Sequence, residues 1–328
     1  MRDLVASFPS QLSESLDIAK DAKLFETDAN FQNVLITGLG GSGIGGTIVS
    51  ELVANQAKFP VFVNKNYSIP AWVGKNTLVI VSSYSGNTEE TLEAIGHAQN
   101  AGATIACVTS GGQVEAKAKS ENLNHILLPG GNPPRSMVAY SLVQVLRLLN
   151  HFGITNFGFE KEVERSIELL DSKSEDIQNQ ALEIANKING KFPAIYACAG
   201  YEGVAIRFRQ QLNENSKILC WHHVIPEMNH NELVGWQEDE FLNVLPIFLR
   251  NADDYSRNQA RVEINKEVIL KRTPEVLEIH SEGESKLQRT LYLVHLVDWV
   301  SIFLGEKRGV DLNDISAINH LKSKLSEL

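Results

Sequence analysis

Short apolar runs alternate with helix-length segments from the start of the chain to about residue 128. Runs rich in Val, Ile and Leu cover residues 34–37, 60–63, 77–82, 104–109 and 125–128, and helical spacing of apolar positions covers 44–54, 89–100 and 113–120. Strand-length runs separated by single helices are typical of a parallel sheet with helices on both faces. The pattern therefore predicts a doubly wound α/β domain.

A second round of the same alternation follows a turn and a charged connector. The turn is PGGNPP at 129–134, and the connector is a charged helical stretch at 160–187. Helices are predicted at 136–151, 203–214 and 286–304, and strands at 194–198, 216–221, 241–248 and 276–279. A length of 328 residues suits two domains, and we expect two α/β domains at residues 1–152 and 153–328.

Composition narrows the classes of protein that fit. The chain has 30 basic and 40 acidic residues, a net charge of −10, which argues against binding a nucleic acid backbone by bulk charge. No apolar run approaches the roughly 18 residues of a membrane span, and the N-terminus lacks a signal-peptide core. Cys107, Cys198 and Cys220 are widely spaced and are expected inside strands rather than in disulfides. We expect a cytoplasmic protein that binds neither nucleic acid nor membranes.

A glycine-rich loop, GLGGSGIGG at 38–46, follows the first predicted strand and opens a helix. Glycines let the backbone approach a ligand closely, and the N–H groups at a helix start favour an anion. A dinucleotide site would need an acidic residue about 20 positions on, where the chain has Lys58 and Asn64. The loop indicates a phosphate cradle that includes Gly41 and Ser42, with a purely structural turn as the alternative.

A hydroxyl-rich loop, SSYSGNTEET at 82–91, also joins an apolar strand to a helix. Ser83, Ser85 and Thr88 place three hydroxyls at one strand end, which suits a phosphate bound without a metal. The alternative is that Thr88 simply N-caps the helix, but capping requires one hydroxyl, not three. We predict that both loops bind one phosphate.

These motifs together resemble a known family. GGSG followed by SxSGNT about forty residues later is similar to the sugar isomerase (SIS) domain, and NPPRS, NENSK and PEMNHNE follow in order. From residue 33 to 325 the chain resembles the bifunctional phosphoglucose/phosphomannose isomerases. The resemblance implies two SIS domains, each a flavodoxin-like parallel sheet flanked by helices. It also implies interconversion of glucose 6-phosphate, fructose 6-phosphate and mannose 6-phosphate through a cis-enediolate, without a metal or other cofactor.

The resemblance also assigns roles in proton transfer. Arg135, held after two prolines, would stabilise the enediolate, although an arginine there is otherwise most often a surface charge. Glu214 would be the base that carries the proton between C2 and C1. A carboxylate at the carboxyl end of a helix opposes the helix dipole, so a solvated helix end is the alternative.

Ring opening is assigned by the same resemblance to His230 and Lys322. The family's histidine comes from the neighbouring subunit, which implies a homodimer with shared sites, and a histidine can act as an acid near neutral pH. Lys322 lies on an amphipathic C-terminal helix, and we prefer it over Lys324. A family hydroxyl linked to mannose has Ser316 as its nearest match.

Three other functions are weighed against this one. A non-catalytic SIS sensor of sugar phosphates would leave Arg135, Glu214 and His230 without a role, and the 30 or so residues before the first strand are too few for a helix-turn-helix module. An amidotransferase-like isomerase part would need a glutaminase domain with an N-terminal cysteine. A zinc site lacks HExxH and CxxC signatures; its candidate ligands are Cys220, His222, His223, Glu227 and His230.

Overall fold

A computed structural model describes residues 1–327 of the chain, and it divides into two compact units. The N-unit comprises Ala6–Ser172 and Gly283–Arg289. The C-unit comprises Met1–Val5, Lys173–Glu282 and the residues from Thr290 on. Each unit is built around its own parallel sheet, so the prediction of two α/β folds is confirmed.

The N-unit contains a five-stranded parallel sheet in the order β2-β1-β3-β4-β5. Its strands are β1 (Asn33–Thr37), β2 (Val61–Asn64), β3 (Thr77–Ser83), β4 (Thr104–Thr109) and β5 (Asn124–Leu127). Its helices are α2 (Phe8–Asp21), α3 (Gly40–Val53), α4 (Glu89–Asn100), α5 (Gly112–Ser120), α6 (Val138–His151) and α7 (Phe159–Ser172), with a 3₁₀ turn at Pro134–Ser136. This strand order is the flavodoxin-like order that the resemblance implies.

The C-unit contains a four-stranded parallel sheet in the order β7-β6-β8-β9. Its strands are β6 (Phe192–Cys198), β7 (Trp221–Ile225), β8 (Val244–Arg250) and β9 (Leu277–His280). The other elements are α1 (Arg2–Ala6), α8 (Ser174–Ile188), α9 (Glu202–Glu214), a 3₁₀ turn at Glu227–His230, α10 (Glu232–Gly235), α11 (Ser256–Ile269), α12 (Lys286–Arg308) and α13 (Ser316–Leu325). Of these, Ala6 of α1 and residues 286–289 of α12 belong to the N-unit. The strand order here repeats that of the first four strands of the N-unit sheet. In the described residues the C-unit sheet has no strand that corresponds to β5.

Burial on both faces explains why the central strands were recognisable as continuous apolar runs. All seven residues of β3 are buried, and the apolar core on one side of the N-unit sheet includes Leu35, Val79 and Cys107. In the C-unit, Tyr196 and Phe248 stack in the corresponding core at 5.0 Å between ring centroids. Among residues 1–327, no helix is long and apolar enough to cross a membrane.

One predicted strand is wrong. The segment expected as a strand at 216–221 is mostly a turn and loop after α9, in which Ser216 donates its hydroxyl to Ser301 O at 2.7 Å and Ile218 N–H donates to Leu212 O at 3.3 Å. β7 begins only at Trp221. Cys220 therefore lies outside the strand in which we expected it, whereas Cys107 and Cys198 lie in β4 and β6 as predicted.

Several boundaries also differ from the predicted ones. The helix expected from residue 44 begins at Gly40, so the glycine-rich loop forms its first turn. The charged connector is two helices, α7 and α8, with Lys173 between them. The strand expected at 241–248 begins at Val244. Helices α1, α2 and α11 were not predicted at all.

Candidate active site

The two predicted phosphate loops meet at the carboxyl edge of the N-unit sheet. β1 and β3 are neighbours in register, with Thr37 opposite Val81. Chain order reverses between these two strands, and in open α/β sheets a ligand crevice forms outside the strand ends at such a switch point. The glycine-rich loop and the hydroxyl-rich loop therefore lie side by side where a ligand is expected.

Ser42 joins the two loops. Its hydroxyl oxygen accepts the N–H of Tyr84 at 2.8 Å, and its carbonyl accepts the hydroxyl of Ser82 at 3.3 Å. Only 7% of Ser42 is exposed. A serine hydroxyl can donate one hydrogen bond as well as accept, so the proton of Ser42 remains for a bound anion.

The three hydroxyls of the hydroxyl-rich loop make few hydrogen bonds within the protein. Ser83 is buried, and its hydroxyl has no hydrogen-bond partner within residues 1–327. Thr88 stands at the N-cap position of α4, yet its side chain makes no capping bond, so the capping alternative is wrong. Ser85 is exposed, and its hydroxyl oxygen accepts the N–H of Asn87 at 3.3 Å. Three hydroxyls with capacity to donate therefore lie near the start of α4, where the first N–H groups of the helix have no intrahelical partner.

Close backbone packing brings Arg135 beside the glycine-rich loop. A Cβ on Gly41 would lie 2.8 Å from Pro134 O and 2.9 Å from the Cα of Arg135, so only glycine fits this contact. A Cβ on Gly38 would lie 2.3 Å from Ser82 O. Only 5% of Arg135 is exposed. The structure thus places the backbone of Arg135 beside Gly41, next to Ser42, so the predicted enediolate residue lies close to two of the predicted phosphate-binding residues.

Tyr84 holds the turn that precedes Arg135, a role that the sequence analysis missed. Its hydroxyl donates to Pro129 O at 2.7 Å and accepts the N–H of Asn132 at 3.3 Å. Burial raises the pKa of Tyr84, so its proton stays in place for the bond to Pro129. The only sequence signal was its position between the two serines of the hydroxyl-rich loop.

Glu214, the predicted base, is the last residue of α9 and is half-buried. Its helix is fixed to α12 by buried bonds: Arg207 Nε donates to Asp298 Oδ1 at 2.9 Å, and Asn215 Nδ2 donates to Ser301 Oγ at 2.9 Å. Separating a buried Arg–Asp pair would leave buried charges without a partner, which is strongly unfavourable, so the pair holds its geometry. The backbone that carries Glu214 is therefore rigid.

The other two predicted residues of the C-unit lie on different elements. His230 ends the 3₁₀ turn after β7, is exposed, and its imidazole makes no hydrogen bond or ion pair in the described part of the chain. Lys322 lies on α13, which has no buried residue. The structure places Glu214, His230 and Lys322 in the C-unit, and the five phosphate-binding candidates with Arg135 in the N-unit.

The corresponding edge of the C-unit sheet carries carboxylates in place of hydroxyls. After β8, Asp254 accepts the N–H of Asn251 at 2.9 Å, and Asp253 accepts the hydroxyl of Tyr201 at 2.7 Å. Carboxylates repel a phosphate group at short range. The two sheets share a topology, but their strand ends differ in chemistry, with hydroxyls in the N-unit and carboxylates in the C-unit.

The zinc alternative finds no support in the side-chain arrangement. In the part of the chain that the structure describes, no three His, Cys, Asp or Glu side chains are placed to hold a metal ion. Cys220 is half-buried, and burial raises the pKa of its thiol to about 12.

Comparisons with known proteins agree with this picture. Residues 29–147 match the family model of the SIS domain, and residues 177–325 match that of the bacterial phospho-glucose isomerase C-terminal SIS domain. The chain is 35% identical over 340 residues to the bifunctional phosphoglucose/phosphomannose isomerase of Caldicellulosiruptor bescii, covering 100% of this chain and 99% of that protein. It is 36% identical over 314 residues to the protein of the same name from Aquifex aeolicus, covering 95% and 94%.

A solved structure supports the fold. The C-terminal domain of glucosamine-fructose-6-phosphate aminotransferase from Francisella tularensis superposes with a TM-score of 0.76, covering 96% of this chain and 97% of that one. The two sequences are 13% identical, so this likeness concerns the arrangement of helices and strands alone.

Proposed function

Because the chain belongs to the family of bifunctional phosphoglucose/phosphomannose isomerases, we propose that it interconverts glucose 6-phosphate and mannose 6-phosphate with fructose 6-phosphate. The chain is an isomerase with two SIS domains. The substrate class is supported by the two loops that meet at Ser42. Their hydroxyls can still donate hydrogen bonds, and the backbone of Arg135 lies against the glycine-rich loop.

The phosphate group binds at the carboxyl edge of the N-unit sheet. The first N–H groups of α3, at Gly41 and Ser42, point along the positive end of the helix dipole. The hydroxyls of Ser83, Ser85 and Thr88 donate the remaining hydrogen bonds. Anchoring the phosphate fixes the rest of the open-chain sugar for reaction at C1 and C2.

Proton transfer then requires a base and a cation. The Glu214 carboxylate removes the C2 proton of the open-chain aldose, and the electron pair forms the C1–C2 double bond of a cis-enediolate. The guanidinium of Arg135 stabilises the charge that develops on oxygen. Glu214 returns the proton to C1, and the proton of O2 passes to O1, which leaves the C1 hydroxyl and the C2 carbonyl of the ketose. Only protons move, so the reaction as written needs no metal or redox cofactor.

Ring opening precedes this step. An acid donates a proton to the ring oxygen while the anomeric hydroxyl loses one, and the roles fall to His230 and Lys322. His230 is exposed and without a partner in residues 1–327, which supports a homodimer in which it serves the neighbouring subunit's site. Ser316 begins α13 and is the candidate hydroxyl for the mannose epimer.

We also place the protein in the cytoplasm. Cys107, Cys198 and Cys220 are all unpaired, which is typical of a reducing compartment. Its partners are small sugar phosphates and a second copy of the chain, with no nucleic acid and no membrane.

The test is one incubation of purified protein with fructose 6-phosphate and EDTA, with glucose 6-phosphate and mannose 6-phosphate quantified from the same tube. Both products are expected. Glucose 6-phosphate alone would remove the mannose activity from the proposal. Neither product, with fructose 6-phosphate still bound, would make the chain a sugar-phosphate sensor.

A pair of variants tests the base. Glu214→Gln is expected to lower turnover by at least about a hundredfold while sugar-phosphate binding persists, since general acid–base catalysis contributes on that order. Glu183→Gln, an exposed change on α8, serves as the matched control and should behave as wild type. Retained turnover in Glu214→Gln would exclude Glu214 as the base.

A further inference from the structure

The segment that carries His230 is anchored at almost every residue except His230 itself. Met228 is fully buried, and the Asn229 amide donates to Asn265 Oδ1 at 2.6 Å. On the other side, Asn231 donates to Glu227 Oε1 at 2.9 Å and accepts the N–H of Glu232 at 2.6 Å. The imidazole is therefore displayed to solvent by a backbone that is held on both sides.

Glu232 provides the connection from this segment to the core of the C-unit. Its Oε1 accepts the hydroxyl of Tyr196 and, at 3.2 Å, the indole N–H of Trp221. Tyr196 is fully buried and stacks on Phe248. Burial raises the pKa of Tyr196 well above its usual value, so the hydroxyl keeps the proton that it donates.

A carboxylate bonded to a fully buried tyrosine has little freedom to move. Tyr196 lies in β6, one of the two central strands of the C-unit sheet, and Trp221 starts the neighbouring strand β7. Two donors from adjacent strands fix one oxygen atom, and hydrogen bonds to a charged acceptor are the stronger kind. Glu232 is two residues from His230, so this fixed point sets where the imidazole stands.

We propose that Glu232, held by Tyr196 and Trp221, is a positioning residue that sets the place of His230 for ring opening. The inference rests on the ring-opening role that the proposed function gives to His230. It adds that the geometry of this step is determined by the strand pair β6 and β7 through one carboxylate oxygen.

The experiment separates ring opening from the later proton transfer. Fructose 6-phosphate must open before it reacts, whereas 5-deoxyfructose 6-phosphate has no C5 oxygen, cannot close a ring, and enters the reaction open. Glu232→Leu removes both hydrogen bonds. It is expected to lower kcat/KM on fructose 6-phosphate by about tenfold or more, since small misplacements of a catalytic group have effects of this order. Its rate on the acyclic substrate should stay close to wild type.

Two further variants keep the test independent of folding. Glu232→Gln retains an acceptor oxygen for Tyr196 and Trp221 and should restore most of the rate on fructose 6-phosphate. Tyr196→Phe keeps the buried ring but removes the hydroxyl, and should show a smaller loss with the same preference for the acyclic substrate. Glu238→Leu, an exposed change in the same connection between β7 and β8, is the matched control and should leave both rates unchanged.

His230→Ala decides which hypothesis fails if the results differ. If this variant loses activity on both substrates equally, the ring-opening role is wrong and the positioning role falls with it. If His230→Ala is selective for the cyclic substrate but Glu232→Leu is not, the proposed function stands and the positioning role of Glu232 is overturned.

Discussion

Gly41 shows how the absence of one methyl group shapes the candidate phosphate site. The Cα of this residue lies against the backbone of Pro134 and Arg135, with no space for a Cβ. Neighbouring atoms here are backbone, which cannot turn away as a flexible side chain would. A larger residue must therefore push the 3₁₀ turn, and Arg135 with it, away from the start of α3.

Gly41→Ala is accordingly expected to raise the KM for fructose 6-phosphate about tenfold or more, and to lower the free energy of unfolding by about 1–3 kcal/mol through overpacking. Gly96→Ala is the matched control, because a Cβ at Gly96 within α4 meets nothing within 4 Å. That variant should gain roughly 0.5–1 kcal/mol from better helix propensity. Steady-state kinetics and urea unfolding check both, and an unchanged KM in Gly41→Ala would contradict the packing argument.

His295 is a buried histidine whose ionisation opposes folding. Burial lowers its pKa from 6.5 to about 3, and its Nε2 accepts the indole N–H of Trp299 at 3.2 Å. Between these two pKa values the unfolded chain binds the proton more readily than the folded chain. Stability therefore falls as the pH falls through this range.

His295→Gln keeps an acceptor for Trp299 but cannot titrate. Between pH 7 and pH 5 the wild type should lose about 2 kcal/mol more unfolding free energy than this variant, by proton linkage. Urea unfolding at both pH values measures the difference. Parallel losses in the two proteins would show that His295 does not carry this part of the acid sensitivity.

Individual residues were predictable from sequence where their chemistry is local. The hydroxyls of Ser83 and Thr88 could be read from one short motif. Tyr84 and Glu232 could not, because their partners Pro129 and Tyr196 lie 45 and 36 positions away along the chain. A residue whose role is to hold a distant backbone has no local pattern that distinguishes it.

At the scale of elements, α13 is an exposed amphipathic helix with two candidate lysines. Ile318, Leu321 and Leu325 lie along one side at helical spacing and remain exposed. Lys324 is paired with Glu327 at 2.8 Å, whereas the ammonium of Lys322 has no hydrogen bond or ion pair within residues 1–327. The unpaired lysine is the better candidate for assisting ring opening.

Lys322→Met should therefore lower kcat/KM on fructose 6-phosphate by about tenfold or more, the lower range for loss of a general acid. Lys324→Met, two positions along the same helix, is the control and should stay near wild type. Kinetics of both variants on the same substrate give the answer. The reverse ranking would assign the role to Lys324.

The start of α3 shows why element boundaries escaped the sequence. Five glycines within the first seven residues of α3 argue against a helix on propensity alone. In the fold, Gly46 lies against Ile36 of β1, where a Cβ would be 2.7 Å from its Cγ2, and Gly45 lies equally close to Ser141 Oγ of α6. Tight packing of α3 between a strand and a helix outweighs propensity. The strand at 216–221 was predicted wrongly for a similar reason. Ser216 of this segment bonds to Ser301, which is distant in sequence, so no local pattern reveals the contact.

At the scale of the whole molecule, the sequence predicted two α/β units because apolar runs and helices alternate twice. The apolar runs do not indicate the order of the strands in each sheet, and that order was predicted only from the resemblance to SIS domains. What distinguishes the units chemically is the loops at the strand ends, where the N-unit has hydroxyls after β3 and the C-unit has Asp253 and Asp254 after β8.

The proposed homodimer with shared active sites makes a prediction about mixtures of two variants. His230→Ala and Glu214→Gln are each expected to be inactive as homodimers. When the two are unfolded and refolded together, half of the dimers are mixed, and each mixed dimer has one complete site. Activity should therefore return to about a quarter of the wild-type value. Continued inactivity of the refolded mixture would mean that both residues act within one chain.

The outward-facing imidazole of His230 has one more consequence. If the second half of each site arrives with another molecule, the concentration of the protein itself becomes a variable of the reaction. Turnover per chain should then decline on dilution below the dissociation constant of the pair and recover on concentration, following mass action. A saturating sugar phosphate that contacts both molecules would oppose that decline, because a ligand bound only by the pair shifts the equilibrium toward association.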